Sequence, residues 1–324
     1  MFTMLYPGQG SQQPGMGKFL FDNFPTAKQT FEEASDALSF DVKKLCFEGS
    51  VADLALTENT QPALLATSTA TQRVLREHFG VKIKSAAGHS IGEYAALVSV
   101  GAIPFAASMR AVRTRGQAMQ AAVPVGQGGM VAVMGLDPSQ VEQLCQYVEE
   151  KSGFKPLSPA NFNSPGQIVI SGSQKAIDWM KDGVKADEIW PAPNTPRLKL
   201  IPLQVSAPFH CSMMKPAEDK MREVLTAMEF KHPEAPVIQN LDAEAHREPS
   251  QMRENLIRQV SAPVRWMQSM ETLKKRGETL CIESGAGKVL QGLLKKIDSE
   301  AFQVLNTNSL EDLEMIEKIA KSKS

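Results

Sequence analysis

The sequence predicts an α/β protein: a large, mostly parallel sheet with helices on its faces, carrying a small inserted unit. Three observations predict it. Strand-like and helix-like stretches alternate from the first residues. From about 125 to 199 the rhythm changes to β-α-β-β-α-β. Between them, a G-x-S-x-G run at Gly88–Gly92 stands between a strand-like and a helix-like segment, the context of a tight strand-to-helix turn.

The elements follow in order. Phe2–Tyr6 is an apolar run that reads as a first strand and ends in Pro7-Gly8-Gln9-Gly10. No Lys or Arg precedes it and polar Gln9 to Gln13 follow, so it is not read as a signal peptide. Helical segments run to about residue 79. Val81–Ala87 is a short strand, Ile91–Val100 a helix beginning after Ser90, and Phe105–Ala122 another helix. Gly126-Gln127-Gly128-Gly129 breaks the chain before a strand at Met130–Met134. Pro138–Glu150 is a helix with Val141, Leu144, Cys145 and Val148 on one face. Leu157–Phe162 and Gln167–Ser171 pair through Asn163-Ser164-Pro165-Gly166. A helix at Gln174–Asp182, a loop with Pro191, Pro193 and Pro196, and a strand from Leu198 to Val205 complete a ferredoxin-like order. The expected division is a large α/β-hydrolase-like domain of 1–124 and 200–324 with a ferredoxin-like subdomain, 125–199, inserted.

Composition excludes several function classes. The chain has 324 residues, enough for a sizeable core, with 42% hydrophobic and 22% charged residues. A formal net charge of -1 supplies no field for nucleic acid or an anionic membrane. No stretch reaches the roughly 18 apolar residues a spanning helix needs. Cys46, Cys145, Cys211 and Cys281 are scattered with no C-x-x-C, so free thiols in a reducing cytoplasm are expected. The 16 methionines read as core filler.

Chemistry centres on Ser90. The glycines of Gly88-His89-Ser90-Ile91-Gly92 allow a strained turn that lifts the hydroxyl clear and aims the next helix's free N–H groups at a developing oxyanion. A plain glycine-rich turn is the competing reading. A nucleophilic serine needs a base. His78, His232 and His246 lie among charges, and His89 diverges from its neighbour at a tight turn. His210, in Val205-Ser206-Ala207-Pro208-Phe209-His210, is the candidate, expected just past the end of a core strand. Arg115 is singled out by its helix. Its neighbours at −7, −4, +3, +4 and +7 are Ser108, Ala111, Ala118, Met119 and Ala122, a small-residue, packed side. A buried guanidinium demands an anion, and the helix alone leaves open a structural carboxylate or a ligand.

With these residues placed, the chain resembles the malonyl-CoA:acyl carrier protein transacylases of dissociated fatty-acid synthesis and the acyltransferase domains of polyketide synthases. The likeness runs end to end. It rests on Pro7-Gly8-Gln9-Gly10-Ser11-Gln12, Thr60-Gln61-Pro62-Ala63, Gly88–Tyr94, Arg115-Gly116 with Met119-Gln120, Asn161–Gln167, Val169–Gly172, Ser206–His210 and Gln259–Trp266. No single run is specific; the ordered set is. The resemblance implies Ser90 as nucleophile, His210 as base and then acid, and backbone N–H groups of Gln9 and Ile91 as the oxyanion hole. It implies Gln259 orienting His210 through its carbonyl in place of a triad carboxylate, and Arg115 gripping the malonyl carboxylate bidentately. Gly88, His89, Gly92 and Asn161 support the site. Phe209 before His210 resembles malonyl-selective members, a soft signal because one methyl is worth only about 1–3 kcal/mol. Glu283-Ser284-Gly285-Ala286-Gly287-Lys288 stands where Gly-Pro-Gly is commoner, and Cys211 where serine is usual.

The resemblance also implies malonyl-CoA and phosphopantetheinylated acyl carrier protein as substrates, no metal or nucleotide cofactor, a cytoplasmic setting and a monomer. Gly285-Ala286-Gly287-Lys288 is not a P-loop, because Ile282 and Val289 occupy its first glycine and Ser/Thr positions. Gly8-Gln9-Gly10 has Gln13 at the third glycine of a dinucleotide fingerprint, and His210-Cys211 is a poor metal pair. Lys274-Lys275-Arg276 and Lys295-Lys296 are solvated helix faces or a docking surface for an acidic carrier. The rival readings are a polyketide-type acyltransferase with another extender, a serine thioesterase or esterase, and a non-catalytic carrier-binding module.

Overall fold

The computed structural model describes residues 1–322. In chain order come β1 (Phe2–Tyr6), α1 (Lys18–Asn23), α2 (Pro25–Leu38), α3 (Val42–Glu48), α4 (Val51–Ala55), α5 (Thr57–Phe79) and β2 (Ile83–Gly88). Helices α6 (Gly92–Ser99) and α7 (Phe105–Ala121) follow. The middle holds β3 (Gly128–Met134), α8 (Pro138–Ser152), β4 (Leu157–Ser164), β5 (Gln167–Ser173), α9 (Gln174–Gly183), α10 (Ala186–Ile189) and β6 (Lys199–Pro202). A 3-10 turn at Ser212–Met214 leads into α11 (Lys215–Thr226), β7 (Val237–Ile238), β8 (Ala245–His246) and α12 (Pro249–Arg258). The last elements are α13 (Trp266–Lys275), β9 (Leu280–Glu283), α14 (Val289–Asp298), β10 (Gln303–Leu305) and α15 (Leu310–Ser322).

Two sheets result. The first runs β10-β9-β1-β2-β7-β8, parallel except where β8 returns against β7. All five residues of β1 are buried, as a central parallel strand covered on both faces requires. The second sheet is antiparallel, in the order β4-β5-β3-β6. Its side chains close with α8 and α9 over a core of their own, including Val131, Val141, Leu144, Val148, Ile168 and Ile177. The expected face of α8 is thus the buried one. Asp137 caps this helix in a reciprocal box with Gln140.

Two details place the site. Tyr6 pairs with Gly88, so β1 and β2 end level and their following loops lie side by side. The loop after β1 must come close: a Cβ on Gly8 would stand 2.6 Å from the carbonyl oxygen of His89. In α5, Pro62 has no N–H for the carbonyl of Glu58, and Nη1 of Arg113 donates to that oxygen instead at 2.8 Å. Helix α7 is thereby tied to α5 near the Gln61 and Arg115 side chains.

One expectation is corrected. The strand anticipated at Leu198–Val205 is only β6, it ends at Pro202, and it forms the mostly exposed edge of the second sheet. It is not a core strand of the parallel sheet. Proline offers no ladder donor, and after one more bond, from the Leu203 N–H to the Met130 carbonyl at 3.0 Å, the chain leaves the sheet.

Candidate active site

The turn at Ser90 is built by backbone sterics. Ser90 sits at φ 52°, a left-handed conformation that a non-glycine residue adopts only when its surroundings impose it. The surroundings are tight. A Cβ on Gly88 would lie 2.0 Å from the carbonyl carbon and oxygen of Gly92, and one on Gly92 2.2 Å from the carbonyl oxygen of Tyr6. The N–H of Ser90 donates to Oδ1 of Asn240 at 2.7 Å, and Nδ2 of Asn240 donates to the Gly88 carbonyl at 2.7 Å. One side chain, placed just past β7, pins both ends of the turn.

Ser90 and His210 meet across 120 positions, Oγ to Nε2 at 2.7 Å. The other ring nitrogen, Nδ1, is 3.0 Å from the backbone oxygen of Gln259. A carbonyl only accepts, so Nδ1 carries the proton in the neutral ring and Nε2 is free to accept from the serine hydroxyl. His210 is 4% exposed. Burial first, then the nearby Arg115 cation, push its pKa down to about 3, so the ring is neutral at neutral pH and the Nε2 lone pair is unprotonated. His210 also has positive φ, 59°. It does not sit past a core strand as expected: its loop returns from the edge strand β6.

The other histidines are accounted for. His89 turns away from Ser90, with Nε2 2.8 Å from Oδ1 of Asn163 and its ring against Trp266. Burial lowers its pKa. His246 is ion-paired with Asp242, and His78 and His232 are exposed.

Arg115 is 1% exposed. No carboxylate lies within ion-pair distance of it among the described residues. Its Nη1 donates to Oε1 of Gln61 at 3.0 Å and its Nη2 to Oε1 of Gln259 at 3.0 Å and to Oγ of Ser90 at 3.3 Å. Its Nε has no partner. Among the described residues the structural salt bridge left open by the sequence is therefore absent, and the guanidinium is a buried cation beside Ser90. Both residues line a cavity of about 110 Å³, together with Gln9, Ile91, Asn161, Phe209 and His210. One water needs ~10–15 Å³ on this measure, so the cavity admits several heavy atoms and no long chain. The backbone N–H groups of Gln9 and Ile91 donate to no acceptor among the described residues.

Sequence reasoning brought together Ser90, His210, Arg115 and Gln259; it missed Asn240, and it gave no role to Gln61 and Glu93, which stand in the runs that carry the resemblance. Asn240 carried a usable signal, a polar Gln239-Asn240 pair straight after the apolar Val237-Ile238, at the carboxyl end of a parallel strand. Glu93 is fully buried; burial pushes its pKa up to about 7 while hydrogen-bond donors pull it back. The basic clusters stay on the surface, with Lys274 paired to Asp298 and Lys296 donating to Gln167. All four cysteines are free and buried. No group of three His, Cys, Asp or Glu suited to a metal occurs among the described residues.

A serine–imidazole pair, free backbone donors and a buried cation with no carboxylate partner among the described residues are the parts a nucleophilic acyl-transfer site needs. The acyl transferase domain profile matches residues 3–305, and the chain belongs to that family. It is 43% identical over 315 residues to the malonyl CoA-acyl carrier protein transacylase of Bacillus subtilis strain 168, covering 97% of this chain and 95% of that one. It is 40% identical to an acyl carrier protein S-malonyltransferase of Vibrio cholerae solved at 1.7 Å resolution, with a TM-score of 0.90 over 97% of this chain and 99% of that one. It has the same TM-score and identity with a malonyl-transacylase solved in complex with a type II PKS acyl-carrier protein, over 98% and 99% of the two chains.

Proposed function

We propose that this chain moves a malonyl group from malonyl-CoA to the phosphopantetheine thiol of an acyl carrier protein, by a ping-pong route through a malonyl ester of Ser90. The observation that carries this reading is the 2.7 Å Ser90–His210 contact beside an Arg115 that has no protein carboxylate. The ~40% identical relatives named for this reaction support it.

In the first half-reaction Nε2 of His210 takes the hydroxyl proton as Oγ of Ser90 adds to the thioester carbon. The oxyanion accepts from the N–H groups of Gln9 and Ile91. Collapse breaks the C–S bond, and the imidazolium returns its proton to the departing sulfur. In the second half-reaction the pantetheine thiol gives its proton to His210 and attacks the ester, and Ser90 leaves with that proton. Arg115 pairs its guanidinium with the malonyl carboxylate, and Phe209 narrows the cavity for an unbranched extender. No step calls for a metal or nucleotide cofactor.

We read the chain as an α/β-hydrolase-like catalytic domain of 1–124 and 200–324 with a ferredoxin-like unit, 125–199, inserted. The separate core and the strand order of the second sheet support that division, although β6 runs on to Pro202. The last two residues of the catalytic domain lie outside the described residues. Among the described residues no helix is long and apolar enough to cross a membrane. A monomer in the cytoplasm, partnered by a carrier protein, completes the reading. The test is intact-protein mass after exposure to malonyl-CoA. A malonyl adduct on the wild type and none on Ser90→Ala is expected; an adduct that persists in Ser90→Ala means another nucleophile.

A further inference from the structure

Glu93 lies three residues after the nucleophile, in the first turn of α6, with 0% of its surface exposed. It has no ion pair among the described residues. Its oxygens meet donors alone. Oε1 accepts from Nε2 of Gln239 at 2.9 Å, and Oε2 from the backbone N–H of Asn240 at 2.7 Å and from Nε2 of Gln259 at 3.0 Å.

The last contact has a directional consequence. A side-chain amide has one donating and one accepting end. With the Gln259 nitrogen turned to Glu93, its oxygen faces Nη2 of Arg115, at 3.0 Å. Reversing the amide would set oxygen against carboxylate and N–H against guanidinium. Both contacts are buried and both would repel, because a carboxylate only accepts and a guanidinium only donates. Gln259 also bonds the Ser90 carbonyl through Nε2, at 3.0 Å, and holds His210 through its own backbone oxygen. Asn240, bound to Glu93 by its backbone N–H, pins the Ser90 turn.

We propose that Glu93 is a positioning residue for acyl-group selectivity: its carboxylate holds the Gln259 amide in the one orientation that presents an oxygen to Arg115, which keeps the guanidinium aimed at the substrate carboxylate. The inference rests on the malonyl reading above. It separates two properties of Glu93, the acceptor it offers Gln259 and the charge it carries. Glu93→Gln loses the charge, yet its amide oxygen can take the place of Oε2 against the fixed N–H of Asn240 and so still receive Gln259, while its NH2 replaces Oε1 and gives up only the Gln239 contact, which lies away from Gln259. Glu93→Asp keeps the charge but withdraws both oxygens by one methylene. Glu93→Met fills the volume with no acceptor.

The experiment follows Ser90 acylation by intact-protein mass on the full chain at about pH 8.5, where Glu93 with its pKa of about 7 is ionised, with malonyl-CoA and with acetyl-CoA, which has no free carboxylate. A thermal melt accompanies each variant. Glu93→Gln should keep the malonyl-to-acetyl rate ratio within about threefold of wild type. Whichever of Glu93→Asp and Glu93→Met folds should lower the ratio by about tenfold or more. Three outcomes overturn the proposal: a Glu93→Gln loss as deep as that of the other variants, which would assign the effect to charge; both substrates slowed alike, which would make Glu93 scaffold; or an unchanged ratio throughout. Failure of the wild type itself to form a malonyl adduct would instead sink the functional reading, so the two failures are distinguishable.

Discussion

Replacing Arg115 by Met removes the cation while keeping most of the aliphatic volume, so no large cavity complicates the result. A substrate carboxylate held bidentately loses two charge-assisted hydrogen bonds, each worth about 1.5–3 kcal/mol. The expected loss is about 3–6 kcal/mol, or roughly 10²–10⁴ in kcat/KM for malonyl-CoA. Acetyl-CoA makes no such contact, so its acylation should fall by less than about tenfold, through the 3.3 Å contact to Oγ of Ser90 alone. Stability should hold. The oxygens of Gln61 and Gln259 lose their partner, but an unpaired guanidinium no longer has to be buried. A second signature comes from His210, whose pKa Arg115 helps to lower. Without that cation the ring protonates more readily, so the acid limb of acetyl transfer should move to higher pH. The assay is stopped-flow or mass-resolved acylation with both thioesters, beside a melting curve. Equal losses with malonyl-CoA and acetyl-CoA would refute the reasoning.

His210, pushed down to about 3, stays neutral well below the ordinary histidine value, so Ser90 acylation should keep its rate from pH 7 to pH 5; a half-loss centred near 6.5 would show an unperturbed imidazole. By linkage the unfolded state binds this proton first, so His210 withdraws stability as pH falls from 6.5 towards 3. Glu93 acts oppositely. Raised to about 7, it binds a proton more tightly when folded and withdraws stability as pH rises from 4.5 to 7; a urea titration of Glu93→Gln against wild type should show that difference shrinking towards acid. Gly88→Ala sets a methyl group 2.0 Å from the Gly92 backbone and should cost about 1–3 kcal/mol or more and most of the malonylation rate; an unaltered unfolding midpoint and rate would contradict the tight turn. Asn240→Ala orphans the Ser90 N–H and the Gly88 carbonyl and should cost about 2–4 kcal/mol in denaturant unfolding; a loss below ~0.5 kcal/mol would mean water replaces the amide.

Legibility of the fold followed strand length and burial. Phe2–Tyr6 was readable to the residue because a central parallel strand is one unbroken apolar run. Helix α8 was readable because its face repeats and its cap is local. Strands β7 to β10 span two to four residues, too short to show a period, and their positions are set by neighbours already in the sheet. The stretch before His210 misled for a related reason. A strand-like stretch such as Leu198–Val205, with Lys199 and Gln204 among its apolar residues, reads alike whether it ends up at an edge or in a core, and only pairing partners distinguish the two. His210 was still found, because a serine nucleophile needs a base and the other histidines were poorly placed.

The site divides along the same line. Ser90 was legible because its geometry is local, written in two glycines that no side chain could replace. Glu93 and Asn240 were not, because their roles exist only through contacts with residues 146 to 166 positions apart. Arg115 lies between. Its helix face declared it buried, and burial declared that it needed an anion, yet sequence could not say whose. A permanent carboxylate would have neutralised the cation and left nothing to attract a substrate. Amide oxygens from Gln61 and Gln259 orient the guanidinium without cancelling its charge. A buried cation held in this way is costly for folding on its own, and it becomes favourable once a ligand supplies the missing negative charge. On the proposed reading that cost turns into selectivity: an acyl group without a carboxylate leaves the cation uncompensated, and one with it does not.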